Sequence, residues 1–346
     1  EIDLDKDKFS ESHIRGLYVQ DDYVYFGIQS NGFYRFSRKT KSIETITTDA
    51  PIGNFLTVNK VNDALHLGTT NGVYKQVGNT LFFAKKDIKV LREGTQNIVI
   101  NSMCNDSFGN IYYGTVNGLI VENNIKTDWI HNLNTKAELL RNKKIFSLFY
   151  DPKENCIWIG TVSGGLFKMN LNREGQFFSL QIYNNSMRND YFIPNNSIWS
   201  FYKDSKENLW IGTDAGLLVK NKSSNKFNLI SAKEINGKKI MGIQEDNEGH
   251  LWLNNSLGLF CYNTNNQRVI KYSYKDGLRT NTHTEAIGKA KDGTIFTGTI
   301  EGINYFNPNE IRPNRYKSDI IFTDFRVHGT SILPNIAYFD SKILEK

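Results

Sequence analysis

Apolar residues along this chain alternate with polar ones or gather in runs of four to six, a spacing that predicts short strands rather than helices. The plainest unit is Ile198–Leu218. It has an alternating run with Ile198, Trp199 and Phe201, a polar turn from Asp204 to Asn208, then Leu209-Trp210-Ile211-Gly212-Thr213, a tight turn and Gly216-Leu217-Leu218. The unit returns at Ile145–Phe167 around Ile157-Trp158-Ile159-Gly160-Thr161, and at Ile240–Phe260 around Leu251-Trp252-Leu253. Weaker copies centre on Val24-Tyr25-Phe26-Gly27, Leu65-His66-Leu67-Gly68, Ile111-Tyr112-Tyr113-Gly114 and Ile295-Phe296-Thr297-Gly298. One anchoring position therefore recurs at 27, 68, 114, 160, 212, 254 and 298. Asn254 replaces Gly once, and the mean interval is about 45 residues.

Seven strand–turn–strand units of that length predict an all-β chain: a seven-bladed β-propeller of four-stranded antiparallel blades, not a helical solenoid. A single four-stranded sheet leaves its edges exposed, and a radial ring protects most of them. An aromatic column runs through the units at Tyr25, Tyr112, Trp158, Trp210, Trp252 and Phe296, with His66 in its second place. Side chains of that size wedge between adjacent sheets, each burying about 150–250 Å². His66 is expected as a packed core histidine. The paired glycines suit positions of positive φ or close backbone approach. Asp106–Gly109, Asp246–Gly249 and Lys291–Gly293 read as turns.

Composition adds limits more than chemistry. With 39% hydrophobic and 23% charged residues, the 346-residue chain has the apolar mass for a sizeable core. No apolar run reaches the ~18–20 residues of a membrane span, and no basic-then-apolar signal opens the chain. A net charge of +6, with no dense basic stripe, gives no nucleic-acid footprint. Cys104, Cys156 and Cys261 have no C-x-x-C spacing and lie in strand-like runs, so buried free thiols are expected, with neither disulfide nor zinc site.

Candidate binding residues come from the long connections between units, which in a blade open on the same face as the turn between the second and third strands. Tyr183–Asn196 holds Arg188, Tyr191 and Phe192; Ser273–Glu285 holds Tyr274, Arg279 and His283; His131–Lys144 holds Arg141. Flat aromatic faces beside charged or amide side chains suit a sugar, and long unstructured connections often carry function. No catalytic residue, metal ligand or cofactor is assigned. The histidines form no H-x-x-x-H pair, G-x-S-x-G and G-x-x-x-x-G-K are absent, and no carboxylate spacing selects an acid and a nucleophile. Asp246-Asn247-Glu248-Gly249-His250-Leu251-Trp252 resembles the Asp-box of sialidases only as a structural turn.

Seven units built on I-W-x-x-x-x-D, then L-W-I-G-T, then G-L resemble the two-component regulator propeller repeat. Lys275-Asp276-Gly277-Leu278, Glu301-Gly302-Ile303-Asn304-Tyr305-Phe306 and Asn307-Pro308 look like that family's last blade. Ile320 to Val327 then resembles the opening strand of the Ig-like (Y_Y_Y) domain that follows. The resemblance implies a propeller over residues 1–316, with 317–346 starting the Ig-like domain or a linker to it. It further implies a non-catalytic, periplasmic sensor region of a hybrid two-component histidine kinase that detects glycan-derived oligosaccharides. Its partners would be an oligosaccharide ligand, a neighbouring propeller and Ig-like domain of the same protein, and a second copy in a homodimeric receptor. A binding or scaffold propeller without kinase output, in surface glycan binding or a secretion system, is the alternative, with a glycosidase or lyase behind it.

The last unit lacks an obvious fourth strand, and Ile2–Leu4 is expected to supply it. Deleting Glu1–Lys8 should then lower the melting temperature in calorimetry, and an unchanged melting curve would remove the idea.

Overall fold

A computed structural model of the chain describes residues 13–311 and 324–342, apart from 30, 51, 62, 85–97, 334–336 and 339–340. Sheets succeed one another as blades 1 to 7: Ile14–Thr48, Phe55–Phe83, Ile100–Trp129, Ile145–Tyr183, Ile198–Leu229, Gly242–Tyr272 and His283–Phe306. Every pairing within a blade is antiparallel between sequence neighbours. Blades 1 and 2 also share a short parallel bridge between their outer strands, through Thr47 and Thr48. Inner strands of successive blades lie side by side, and that of blade 7 returns to that of blade 1. Blade 7 has three strands among the described residues, and Ile2–Leu4 lies outside them.

The two recurring glycines do different work. The second has a positive φ in every blade, between 90° at Gly165 and 145° at Gly258, where a side chain would be strained. The first sits under the next blade's inner strand. A Cβ on Gly160 would stand 2.7 Å from Ile198 Cγ2, and one on Gly114 would stand 2.6 Å from Ile145 Cγ2. The same approach links Gly298 of blade 7 to Ile14 of blade 1, at 2.8 Å from the Ile14 carbonyl oxygen. Closure is reinforced across that junction. The Thr284 hydroxyl donates to the Ile14 carbonyl, Arg15 pairs with Glu285, Arg38 pairs with Asp292, and Phe36 lies 6.4 Å from Tyr305.

Asn254 breaks the glycine pattern and repairs it chemically. Its Nδ2 donates to the Thr284 and Ala286 carbonyls of blade 7 at 2.9 and 3.0 Å, joining blades 6 and 7 with side-chain hydrogen bonds in place of close packing. Where Thr follows the glycine, its hydroxyl donates to the carbonyl of the second glycine, as Thr213 does to Gly216 and Thr299 to Gly302. That bond closes the tight turn.

All seven members of the aromatic column are buried. The polar turn and the column are coupled: Trp210 Nε1 donates to Asp204 Oδ2 at 2.7 Å, Trp252 Nε1 to Asp246 Oδ2 at 2.9 Å, and the Tyr112 hydroxyl to Asp106 Oδ2 at 3.0 Å. In each pair the aspartate is six residues ahead. Blade 4 carries one more residue in the turn, so Asp151 misses the Trp158 indole and accepts from Lys203 Nζ instead. Trp158 Nε1 is left buried with no partner among the described residues. Column rings also reach the next blade, with Trp252 4.7 Å from Phe306 and Trp210 5.9 Å from Tyr262.

The ring belongs to a compact unit ending at Pro308, and Asn309–Lys346 forms a second. Within that second unit, Arg326–Val327 pairs with Thr330–Ser331 and Ala337–Tyr338 with Ser341–Lys342. Residues 320–323 of the expected Ig-like opening strand lie outside the described residues.

A Cβ at position 212 would collide with the Ile240 carbonyl. Gly212→Ala should therefore lower the unfolding free energy by about 1–3 kcal/mol in urea denaturation. Burial pushes the His66 pKa down to about 4. The unfolded imidazole binds its proton near pH 6.5, so the contribution of His66 to stability is intact above that pH and is lost as pH falls toward 4. His66→Phe should flatten part of the fall in stability between pH 6.5 and 4, measured by urea midpoints across that range. A parallel curve for parent and variant would refute it.

Candidate functional site

The inner strands enclose a cavity along the ring axis. Its deeper part, about 190 Å³, is lined from six blades, among them by Arg15, Asn101, Phe146, Trp199 and Glu285. Its mouth, about 260 Å³, shares Arg15, Phe146, Trp199 and Glu285 and adds His13, Lys239 and Thr282 from the connections that enter inner strands, with His283 at the start of blade 7's inner strand. Ser256 and Ile300, from turns between second and third strands, complete the rim. The mouth therefore opens on the face where those turns and the inter-blade connections meet, as expected from the topology.

The lining alternates rings and charges. Phe146 meets Trp199 edge to face, with centroids 4.3 Å apart. Lys239 Nζ lies 3.2 Å from the Trp199 ring centroid, a cation over a π face. Burial lowers the Lys239 pKa, while Asp214 and Glu285 oppose that shift. Trp199 Nε1 donates to Asp214 Oδ1 at 2.7 Å, placing that carboxylate beside the same ring. Arg15 pairs with Glu285 and also lies over Phe146. Burial holds His13 below its ordinary pKa, ahead of the opposing pull of Glu285. Arg15 thus has its carboxylate partner within the lining, while Lys239 shares the Trp199 ring with Asp214.

His283 is fixed by a relay that starts at Asn254. With Asn254 Nδ2 donating to two carbonyls, its Oδ1 accepts from Thr297 Oγ1 at 2.8 Å. The Thr297 hydroxyl proton is thereby committed, and its oxygen is the acceptor for His283 Nδ1 at 3.0 Å. The ring is the Nδ1–H tautomer, neutral because burial lowers its pKa to about 4. Its Nε2 is buried and has no partner among the described residues.

Of the seven candidate residues drawn from the connections, His283 alone lines this mouth. Tyr191 and Phe192 are about half exposed on the connection from blade 4 to blade 5, Tyr191 lying 5.4 Å from Tyr183, and Arg188 is exposed on the same segment. Tyr274 is exposed at the start of the short 3-10 turn Tyr274–Asp276, which Ser273 caps. Arg279 is half-buried, its backbone N–H bonded to Asn304 Oδ1. Arg141 pairs with Glu138 of its own 3-10 turn, Thr135–Leu140. Those connections leave from different blades: 3, 4 and 6. Sequence reasoning passed over Arg15, Phe146, Trp199 and Lys239, whose signal was position: the first three directly follow the residue that opens an inner strand.

A second group draws Asp246, His250 and Cys261 together, with one donor atom from each within 4.8 Å of the others. Each of the first two is already used by the turn. Asp246 accepts from the Trp252 indole and the His250 backbone, and His250 Nε2 meets Asn263 Nδ2 at 2.9 Å. His250 Nδ1 faces Asp246 where Asn110 and Asn208 donate to Asp106 and Asp204 in other blades. Burial pushes the thiols of Cys156 and Cys261 up to about 12 and raises that of Cys104 as well, which marks them as inert. All three are free; Cys104 and Cys156 are buried, whereas Cys261 is partly exposed. Among the described residues no helix is long and apolar enough to cross a membrane.

Comparison with known proteins places this geometry. Residues 193–215, which enter blade 5 and run through its first two strands, match the family model described as two component regulator propeller. Over 343 residues the chain is 26% identical to histidine kinase P4 of Formosa agariphila, covering 90% of this chain and 23% of that protein. It thus spans about a quarter of the length of that curated relative. The extracellular domain of the hybrid two component system BT3049 from B. thetaiotaomicron superposes with a TM-score of 0.73 at 21% identity, over 96% of this chain and 45% of that one. PorZ, a surface component of the type-IX secretion system of Porphyromonas gingivalis, superposes with a TM-score of 0.63 at 11% identity, over 84% and 46% of the two chains. At those identities the superpositions speak for the ring itself. Residues 193–215 thus carry the two-component regulator propeller motif, and counterparts of that segment recur in register around the ring.

Proposed function

We propose that this ring is a non-catalytic, extracytoplasmic sensor module of a hybrid two-component histidine kinase, reading glycan-derived oligosaccharides on the face where the axial cavity opens. The observation that carries the reading is the repeat itself, in register around a closed ring whose cavity is lined by rings and paired charges. Support comes from a relative named as a histidine kinase and from the shared ring of a two-component extracellular domain. The lining offers aromatic faces and hydrogen-bonding groups, the chemistry that holds a sugar.

A ring stitched at every blade junction changes little internally, so the signal would come from movement of whole domains. An oligosaccharide bridging this ring to a neighbouring propeller would alter how the following Ig-like domains of a homodimer are held, on the periplasmic side of the membrane. Residues 317–346 would begin that path. Switching a two-state receptor from 1:99 to 99:1 takes about 5.5 kcal/mol of differential binding. Charged hydrogen bonds, each worth about 1.5–3 kcal/mol, would supply part of it. Much of that energy would be recovered only with both domains present, so the isolated ring should bind weakly.

The full-length protein in membranes should change its autophosphorylation rate on addition of an oligosaccharide from a panel of plant and algal glycan digests. A rate unmoved by the whole panel, or cleavage of any member by the ring, would overturn the assignment.

A further inference from the structure

Buried in the wall of the axial mouth is an acceptor with nothing to accept. His283 is 1% exposed, its Nδ1 proton is committed to Thr297, and its Nε2 lone pair is bare among the described residues while the ring lines the cavity. Leaving a buried acceptor unpaired costs about 1–3 kcal/mol. The tautomer does not adapt, because Asn254 fixes Thr297 and Thr297 fixes the imidazole. Whatever occupies the cavity beside Nε2 must therefore bring a hydrogen.

The charges around the mouth narrow the class. Arg15 is paired with Glu285, and Lys239 lies on the Trp199 face with Asp214 bound to the same indole. A carboxylate set against the Nε2 lone pair would meet a second acceptor and be repelled, whereas a hydroxyl O–H satisfies it directly. Phe146 and Trp199 supply an apolar wall, and 260 Å³ falls just under the ~300–1,000 Å³ of drug-sized pockets. That is room for one sugar-sized ring.

We propose that the axial mouth is a subsite for a neutral, hydroxyl-bearing sugar residue, with a ligand O–H donating to His283 Nε2 and the ring set against Trp199 and Phe146. This rests on the oligosaccharide-sensing reading and names the chemical class that this part of the ring takes. Arg15 and Lys239 then serve as hydrogen-bond donors to ring hydroxyls, their charges held by Glu285 and Asp214. Asn254, the departure from the repeat, is a positioning residue that acts through Thr297.

The test titrates the 346-residue chain with neutral trisaccharides (maltotriose, xylotriose, laminaritriose) and with trigalacturonate, following tryptophan fluorescence and calorimetry. Long-range ¹H–¹⁵N spectra of the histidine side chains run in parallel. Expected are an Nδ1–H, Nε2-acceptor signature for His283 in the free chain, a shift of its Nε2 resonance on adding a neutral trisaccharide, and about tenfold weaker binding in His283→Phe. The melting temperature of that variant should change little, because loss of the Nδ1–Thr297 bond is offset by removal of the unpaired buried Nε2. Should the variant fail to fold, Trp199→Leu read by calorimetry probes the opposite wall of the same mouth, with binding again weakened.

Binding of trigalacturonate alone, or neutral binding that both variants leave untouched, would overturn the subsite and leave the sensing reading standing. An Nε2–H tautomer in the free chain would overturn it as well. Silence of this chain toward every sugar, with the full-length kinase still responding, would overturn the subsite only; silence of both would overturn the sensing reading too.

Discussion

The ring is set by a contact between a residue without a side chain and the strand that passes over it. At the end of each second strand a glycine, or Asn254 with its own bonds, receives the first residues of the next blade's inner strand. This is steric exclusion used as a joint: inner strands pack close enough to leave only a narrow axial cavity, and each blade is locked to its successor. Because Gly298 receives Ile14 as Gly160 receives Ile198, the last junction obeys the same rule as the interior ones. Ring closure thus depends on packing against residues 14–15 and not solely on a fourth strand for blade 7.

A second device keeps the joint at the right angle. Aromatic residues on the second strands are anchored at one end by an aspartate from the preceding turn and reach the neighbouring blade with the other. The hydrogen bond satisfies an indole or phenol that burial would otherwise leave unpaired. Blade 4 shows what happens when the spacing changes by one residue. Asp151 turns to Lys203, tying blade 4 to blade 5 by charge, and Trp158 stays buried without that bond. Variation in the repeat is therefore compensated within the same junction.

The same variation produces the chemistry of the mouth. An ordinary glycine at 254 would leave Thr297 without its acceptor, and the tautomer of His283 would then be free to choose. With Asn254 present, three blade-junction hydrogen bonds fix a neutral imidazole at the cavity wall. Around it, Arg15 pairs with Glu285, while Lys239 and Asp214 both engage Trp199, an arrangement that suits recognition by directed hydrogen bonds.

What the sequence determined by itself was the repeat: the interval, the glycines, the aromatic column and the turn aspartates are local features, each set by the geometry of one strand or turn. They made the all-β propeller legible, and they placed His66 correctly in the core. The mouth of the cavity was legible only in His283. Arg15, Phe146, Trp199 and Lys239 lie up to 224 residues apart in the chain, and although the first three share one place after the residue that opens an inner strand, nothing local shows that this place faces the axis. Only closing the ring brings one position from each blade to a common axis. Loop length pointed instead to the long connections, where Tyr274 and Phe192 are exposed and Arg141 is engaged by its own turn. Convergence across blades is a property of the circle, and a position shared along the chain becomes a common site only once the ring has closed.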